Sequence, residues 1–247
     1  MRALQDVYSV WWADLRIFRH LCQRFLITSL MSPVLYLLAF GFGLGRGMTV
    51  EGVDYLEFVI PGIMALTAMT TSFNAAGMKL NIDRLFLRSF DEMLMAPIGR
   101  VPLVMGKSVI GVVRGLIISF CFLIIGLAVS SMNVTPLFLL SLLVSCFMFA
   151  FMGVLCAMLT KSHQDMGTFS SVILTPMTFL GGTFFSLEQF PKWLEVVFYL
   201  LPLTHSSRCL RAEALGQGFP WLSFFAMLAF GAVFFWLCLV AVRRSSV

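Results

Sequence analysis

Residues 79–107 read KLNIDRLFLRSFDEMLMAPIGRVPLVMGK, and this one stretch decides the fold. It is the largest cluster of charge in a chain that is otherwise nearly all hydrocarbon. Five bases (Lys79, Arg84, Arg88, Arg100, Lys107) and three acids (Asp83, Asp91, Glu92) stand between two long apolar runs. Charge bracketed in this way is a loop between membrane helices. Within it, Ser89-Phe90-Asp91-Glu92 has the spacing of a capping box, which places Ser89 as the cap of a short helix and Glu92 bonding back. Pro97 ends that helix, because the residue before a proline resists the α region. The expectation is a short helix across the cytosolic mouth of a membrane protein, where something outside the chain could push.

Composition supports the same class. Of 247 residues, 60% are hydrophobic and 12% charged, with a mean hydropathy of +0.95. A soluble domain of this size needs far more charge to cover its surface. Several runs of roughly 20 apolar residues match a hydrocarbon thickness of about 30 Å at about 1.5 Å per residue. The net charge of +5 would point to nucleic acid in a soluble protein. Here the bias of cytosolic loops toward Lys and Arg accounts for it, and no nucleic-acid partner is expected. The six cysteines form no C-x-x-C pair, and they specify neither a disulfide framework nor a metal site. Arg2, Arg16, Arg19 and Arg24, interspersed with Asp6 and Asp14, leave no cleavable signal segment at the N-terminus.

Taken in order, Leu4, Tyr8, Trp11, Leu15, Phe18, Cys22 and Phe25 recur in steps of four and three. Residues 1–24 are therefore expected to form an amphipathic helix lying in the membrane interface. Six spans follow, at about 25–45, 58–78, 108–132, 134–160, 166–187 and 221–242. Pro33 is expected to kink the first. Pro61-Gly62 opens the second, and Thr175-Pro176 and Gly181-Gly182 interrupt the fifth. The stretch 186–220 is apolar in patches but broken by Pro191 and Pro202, which suits two short half-inserted outer helices. Six spans put both termini on one side. Twelve of the 17 Lys and Arg fall on the side of the termini and four on the other, so both termini are cytosolic.

Chemistry-bearing motifs are few. Gly106-Lys107-Ser108 looks like the end of a phosphate-binding loop, but Val101 stands where the first glycine must be, and a membrane helix replaces the expected strand. An intramembrane hydrolase would need a nucleophile and base on facing spans. His20, His163 and His205 all fall in loops or interfacial segments, no G-x-S-x-G elbow occurs, and no span carries an acid. No catalytic residue is assigned. A passive channel or assembly scaffold is the third class considered.

Arg114 is the sole charge within a span. It lies seven residues after Lys107, about 10 Å along a helix. Snorkelling to the cytosolic interface or an inter-helix bond is the simpler reading, with substrate contact as the alternative. Thr67, Thr71 and Asn74 share one face of the second span, and serve either as glue between helices or as the lining of a path.

Three segments resemble the ABC-2 type permease family, the membrane subunits of bacterial ABC exporters. Asp91-Glu92-Met93-Leu94-Met95-Ala96-Pro97 is similar to that family's acidic-acidic-apolar-Leu-apolar-Ala-Pro segment in the second cytosolic loop. Gly111-Val112-Val113-Arg114-Gly115 resembles the pattern opening its third span. Leu174 to Ser186, with the Pro202-Leu203-Thr204-His205 turn, is similar to its fifth span and outer segment. The resemblance implies one transmembrane domain over 1–247, all-α and polytopic. It implies six helices with an interfacial N-terminal helix, a cytosolic coupling helix and re-entrant helices before the last span.

It also implies a bacterial inner-membrane location and two permease copies side by side in lipid. A separate P-loop ATPase would lie beneath them and carry ATP and Mg2+, with no cofactor in this chain. Substrates of the family include polysaccharides, lipid-linked glycans and hydrophobic drugs. On this footing Phe90, Asp91, Glu92, Met93, Leu94, Ala96 and Pro97 are the ATPase-coupling residues. Phe90, Met93 and Leu94 are expected to be buried in a groove of the ATPase, or else to rest on the membrane interface. Thr67, Thr71 and Asn74 with Thr175 and Phe179 are expected to line the substrate path.

Overall fold

The computed structural model describes residues 7, 12, 25–45, 47–50, 52–96, 98–130, 132–186 and 190–245. The protein is an all-α polytopic membrane protein, and the described residues hold five helices long and apolar enough to cross a membrane. These are α1 (residues 25–36, continuing to Gly43), α2 (Tyr55–Leu85), α4 (Arg100–Val129), α5 (Pro136–Leu159) and α10 (Trp221–Ser245). Between them lie α3 (Ser89–Met95), α6 (His163–Phe169), α7 (Thr175–Leu180), α8 (Lys192–Tyr199) and α9 (Pro202–Ala214). A two-residue hairpin, β1 (Thr49–Val50) and β2 (Val53–Asp54), closes the loop after α1, with Gly52 at φ 80° in its turn. Val7 and Trp12 are helical. The rest of the expected interfacial helix, with Glu51, Pro97 and residues 187–189, lies outside the described residues.

The central element is α2. It packs against α4, α5 and α9, and its side chains from Phe58 to Phe73 are almost wholly enclosed. Helices meet closely in a membrane where small residues let their backbones approach. That is what happens here. A Cβ at Gly111 would sit 2.7 Å from the Ser72 carbonyl oxygen, and one at Gly153 would run into the Phe73 carbonyl. By contrast α1 and α10 leave Ile27, Met31, Leu35, Phe225, Leu228 and Trp236 exposed. Such a surface suits hydrocarbon and would be costly in water.

Span boundaries shift for identifiable reasons. α2 continues two turns beyond the expected Met78, because Lys79, Asp83 and Arg84 are held by partners inside the chain. α4 begins at Arg100, with Gly99 extended before it and Pro102 in the first turn, where a missing N–H costs nothing. α5 starts at Pro136, capped by Thr135, whose hydroxyl accepts from Phe138 N. The first span carries Pro33 and winds its outer half, Leu37–Leu44, as π-helix.

The expected fifth span over 166–187 is the largest departure. It runs as one helical stretch from α6 through a π-turn at Ser170–Leu174 into α7, and it stops at Leu180. Pro176 has no N–H to give the preceding turn, and the ladder slips before it. Gly182, at φ 68°, then turns the chain away. The start of α6 is a capping box at Ser162 and Asp165.

Candidate functional site

The C-terminal end of α2 is a knot of polar groups. Asp83 Oδ2 accepts from Lys107 Nζ at 2.7 Å, both side chains only 2% exposed, while Lys79 pairs with the other carboxylate oxygen one turn earlier. Arg84 donates to the carbonyls of Ala157, Met158 and Thr160 at 2.8–3.0 Å, which satisfies the last turn of α5. Asn81 bonds Thr160 and His163. α2, α4, α5 and the start of α6 are thus tied together where the loop to α3 leaves.

α3 departs from its expected form in two ways. Ser89 is not the cap. Arg88 occupies that position at φ 52°, no side chain caps the helix, and the Ser89 hydroxyl points to the Asp83 carbonyl at 3.5 Å. Phe90 is not presented outward either. It is 2% exposed and belongs to this chain's own core, with Met93 and Leu94 half-buried beside it. The energies favour this arrangement. Burying a Phe side chain is worth about 1.5–3 kcal/mol, against about 1 kcal/mol for a lost cap, and the left-handed residue turns the chain so that Phe90 points inward. What α3 and its approach present outward is Phe86, Leu87 and Met95, with Asp91 and Glu92 between them. Ala96 is extended after the helix, as a residue before proline must be.

Farther along the bundle, α1, α2 and α4 line an open cavity of about 370 Å³. Thr28, Ser29 and Ser32 of α1 face Thr70, Thr71 and Asn74 of α2 across it, and Arg114 of α4 closes one wall. The Arg114 guanidinium lies over the Phe25 ring, 4.9 Å from its centroid. Of the five expected path residues, the cavity therefore gathers Thr71 and Asn74. Thr67 is sealed inside the bundle with its hydroxyl bonded to the Ile63 carbonyl at 2.7 Å. Thr175 is exposed on α7. Phe179 neighbours Phe184, which stacks on Phe40 at 4.2 Å near the C-terminal end of α1. The hydroxyls of α1 went unread in the sequence, although their spacing in a charge-free span was a visible signal.

At the opposite, N-terminal end of α2, Arg211 of α9 is 6% exposed. Its Nε donates to the Phe58 carbonyl at 3.1 Å and its Nη2 to the Gly182 carbonyl at 2.8 Å, with the guanidinium 3.6 Å from the Phe58 ring centroid. Tyr55 Oη donates to the Phe184 carbonyl at 2.9 Å. The short helices α8 and α9 differ in character. α9 is buried along most of its length, while α8 exposes Trp193, Val196 and Val197. Among the described residues, no cluster of His, Cys, Asp and Glu could hold a metal ion.

Residues 5–215 match the family model described as ABC-2 type transporter. The chain is 26% identical over 243 residues to the inner membrane transport permease YadH of Escherichia coli K12, covering 96% of this chain and 94% of that protein. It is 28% identical over 221 residues to nodulation protein J of Bradyrhizobium diazoefficiens, covering 85% of this chain and 81% of that protein. Nodulation protein J of Neorhizobium galegae is 26% identical over 222 residues.

Proposed function

This chain belongs to the ABC-2 type transporter family, and on that premise we propose that it is the permease of an ATP-driven exporter that moves an amphipathic substrate out of the cytosol. It is a multi-pass inner-membrane protein and the transmembrane subunit of an ABC transporter. A partner ATPase subunit generally works with permeases of this family. In the proposed cycle, that P-loop subunit binds ATP and Mg2+. Two copies of this chain stand side by side, both termini cytosolic, and alternate between inward and outward access at their midline. Drugs, lipid-linked glycans and polysaccharides are the candidate substrate classes.

The observation that carries this reading is the mounting of α3. Phe86, Leu87 and Met95 are exposed beside the acids Asp91 and Glu92. Directly behind them Phe90 is locked into the core, and Asp83 joins α2 to Lys107 of α4. A push on the exposed side is delivered to two spans without slack, because packed interiors transmit displacement.

The test is co-expression with each P-loop ABC ATPase of the same genome in turn, then purification on a tag carried by the permease. The reading expects the ATPase to be retained and to turn over ATP in vesicles. Absence of any retained ATPase, with full turnover by the ATPase alone, would remove it.

A further inference from the structure

We propose that His205 is an acid-released latch: neutral, it holds the end of α8 against α9, and protonated it lets α8 swing away from the bundle. The proposal goes beyond the transport reading and does not rest on it.

A helix leaves its last carbonyls without partners of its own, and here α9 supplies them to α8. The Thr204 hydroxyl donates to the Phe198 carbonyl at 2.7 Å, and His205 Nε2 donates to the Tyr199 carbonyl at 2.9 Å. Arg208 donates to the Tyr199 hydroxyl and lies over that ring, 5.0 Å from its centroid. Phe198 is buried against Phe185 and Phe190, while Trp193, Val196 and Val197 on the rest of α8 stay exposed. α8 is fastened at its C-terminal end.

The state of the His205 ring follows from its bond. A carbonyl only accepts, so Nε2 carries the proton of the neutral imidazole and Nδ1 is a bare lone pair. His205 is 7% exposed, and Nδ1 has no hydrogen-bond partner among the described residues. A proton added there makes a buried N–H without an acceptor on a buried cation without a counter-ion, which is unfavourable on both counts. The carbonyl end of α8 favours a cation, but the neutral ring already makes that bond.

Neighbouring charge works in the same direction. Arg208 is a cation one turn along α9 from His205. Arg211 is turned to the Phe58 and Gly182 carbonyls, and Glu213 bonds Thr135. Apart from cysteines, α5 and α7 carry no titratable group and α10 none before Arg243. At this end α8 brings Lys192 and Glu195, and α2 brings Tyr55 and Glu57. None of these acids touches the imidazole, whose ring neighbours are Tyr199 and Phe230 at 5.9 and 6.0 Å. Burial holds the pKa of the ring below its ordinary value; the bond to Tyr199 opposes this and Arg208 adds to it.

The latched ring thus takes a proton less readily than the released one, which has the ordinary value of about 6.5. The latch is at full strength above that pH. As pH falls toward the lower value it weakens, by up to about tenfold in the closed-to-open ratio per pH unit.

The test is hydrogen–deuterium exchange on the purified permease in lipid nanodiscs, with no ATPase present. Amides of 192–204 are compared between parent and His205→Gln at the same pH, so the intrinsic pH dependence of exchange cancels. Gln keeps an N–H for the Tyr199 carbonyl and cannot titrate. The two proteins are expected to exchange alike at about pH 7.5, and the parent up to about tenfold faster at about pH 5.5, with 136–159 of α5 unchanged. Equal exchange of 192–204 at the lower pH overturns the proposal, and so does a parent in which α5 quickens along with α8. Should His205→Gln not fold, Arg208→Gln serves, with rates taken relative to an unstructured peptide. Without that cation the acceleration sets in at higher pH than in the parent, and an onset that stays put or moves down overturns the proposal.

Discussion

Lys107 Nζ lies 2.7 Å from Asp83 Oδ2, and between them these two buried side chains join the N-terminal part of α4 to the C-terminal end of α2. The pair is asymmetric. Asp83 also holds Lys79, so removing Lys107 leaves the carboxylate with a partner, whereas removing Asp83 takes the shared carboxylate from both lysines at once. Breaking a buried pair by removing one partner costs about 3–5 kcal/mol. Asp83→Asn is therefore expected to lower the thermal midpoint in detergent well below the parent, and Lys107→Met to lower it less. The double variant Asp83→Asn with Lys107→Met should recover most of the loss. A double variant as unstable as Asp83→Asn alone would mean that the pair is not what couples these helices.

The exposed and buried faces of α3 give opposite expectations. Met95 is 88% exposed and Phe90 is 2% exposed. Met95→Asp should leave yield and thermal midpoint at parent level while reducing ATPase retention on co-purification. Phe90→Asp should reduce the yield of folded protein itself, since a buried unpaired charge costs several kcal/mol. Met95→Asp retaining the ATPase at full stoichiometry would show that this helix is not the docking element. Leu94 is a poorer probe, because it is half-buried against its own chain.

Much of this architecture was legible because hydrocarbon thickness is written into run length. The apolar stretches that became α1, α2, α4, α5 and α10 each appear in the sequence within a few residues to two turns of their ends. The π-turn at 170–174 and the stop at 180 were signalled by Thr175-Pro176 and Gly181-Gly182, but whether a proline bends a span or ends it depends on what satisfies the freed carbonyls. In this chain Arg211, 29 residues beyond Gly182, takes the Gly182 carbonyl, and no local pattern encodes that. The capping box went to the wrong serine for a similar reason. Ser89-x-x-Glu92 and Ser162-x-x-Asp165 both have the spacing, and burial of Phe90 overrules the first. Likewise Thr67 and Thr71 are one turn apart on the same helix. Only the packing of α1 decides that the second faces a cavity and the first does not.

Orientation is a prediction of charge alone. Twelve of the 17 Lys and Arg fall with the termini and four fall opposite. Arg211, one of the four, is buried against backbone carbonyls, so the free outer charge is smaller still. A single cysteine at 51 in a cysteine-free background should react with an impermeant maleimide on intact spheroplasts, and one at 243 only after permeabilisation. The reverse pattern would invert the topology.

The last prediction concerns Arg211 itself. One guanidinium reaches the Phe58 carbonyl of α2 and the Gly182 carbonyl after α7 while lying over the Phe58 ring. Lysine has a single ammonium on a flexible stem and cannot hold both sites in one plane. Arg211→Lys should therefore behave as a loss. About 1–3 kcal/mol follows from each buried carbonyl left unsatisfied, with the cation–π contact weakened besides. The damage should be local to the outer face, where Gly62 meets the Thr183 carbonyl so closely that a Cβ would lie 2.5 Å from it. A cysteine placed at Thr183, buried in the parent, reports on it. In the Arg211→Lys background its labelling by an impermeant maleimide should rise several-fold, while the cytosolic pair of Asp83 and Lys107 stays intact and ATPase retention is unchanged. A labelling rate equal to the parent's would mean that α9 is held against α2 by its apolar packing alone and that the guanidinium clamp is dispensable.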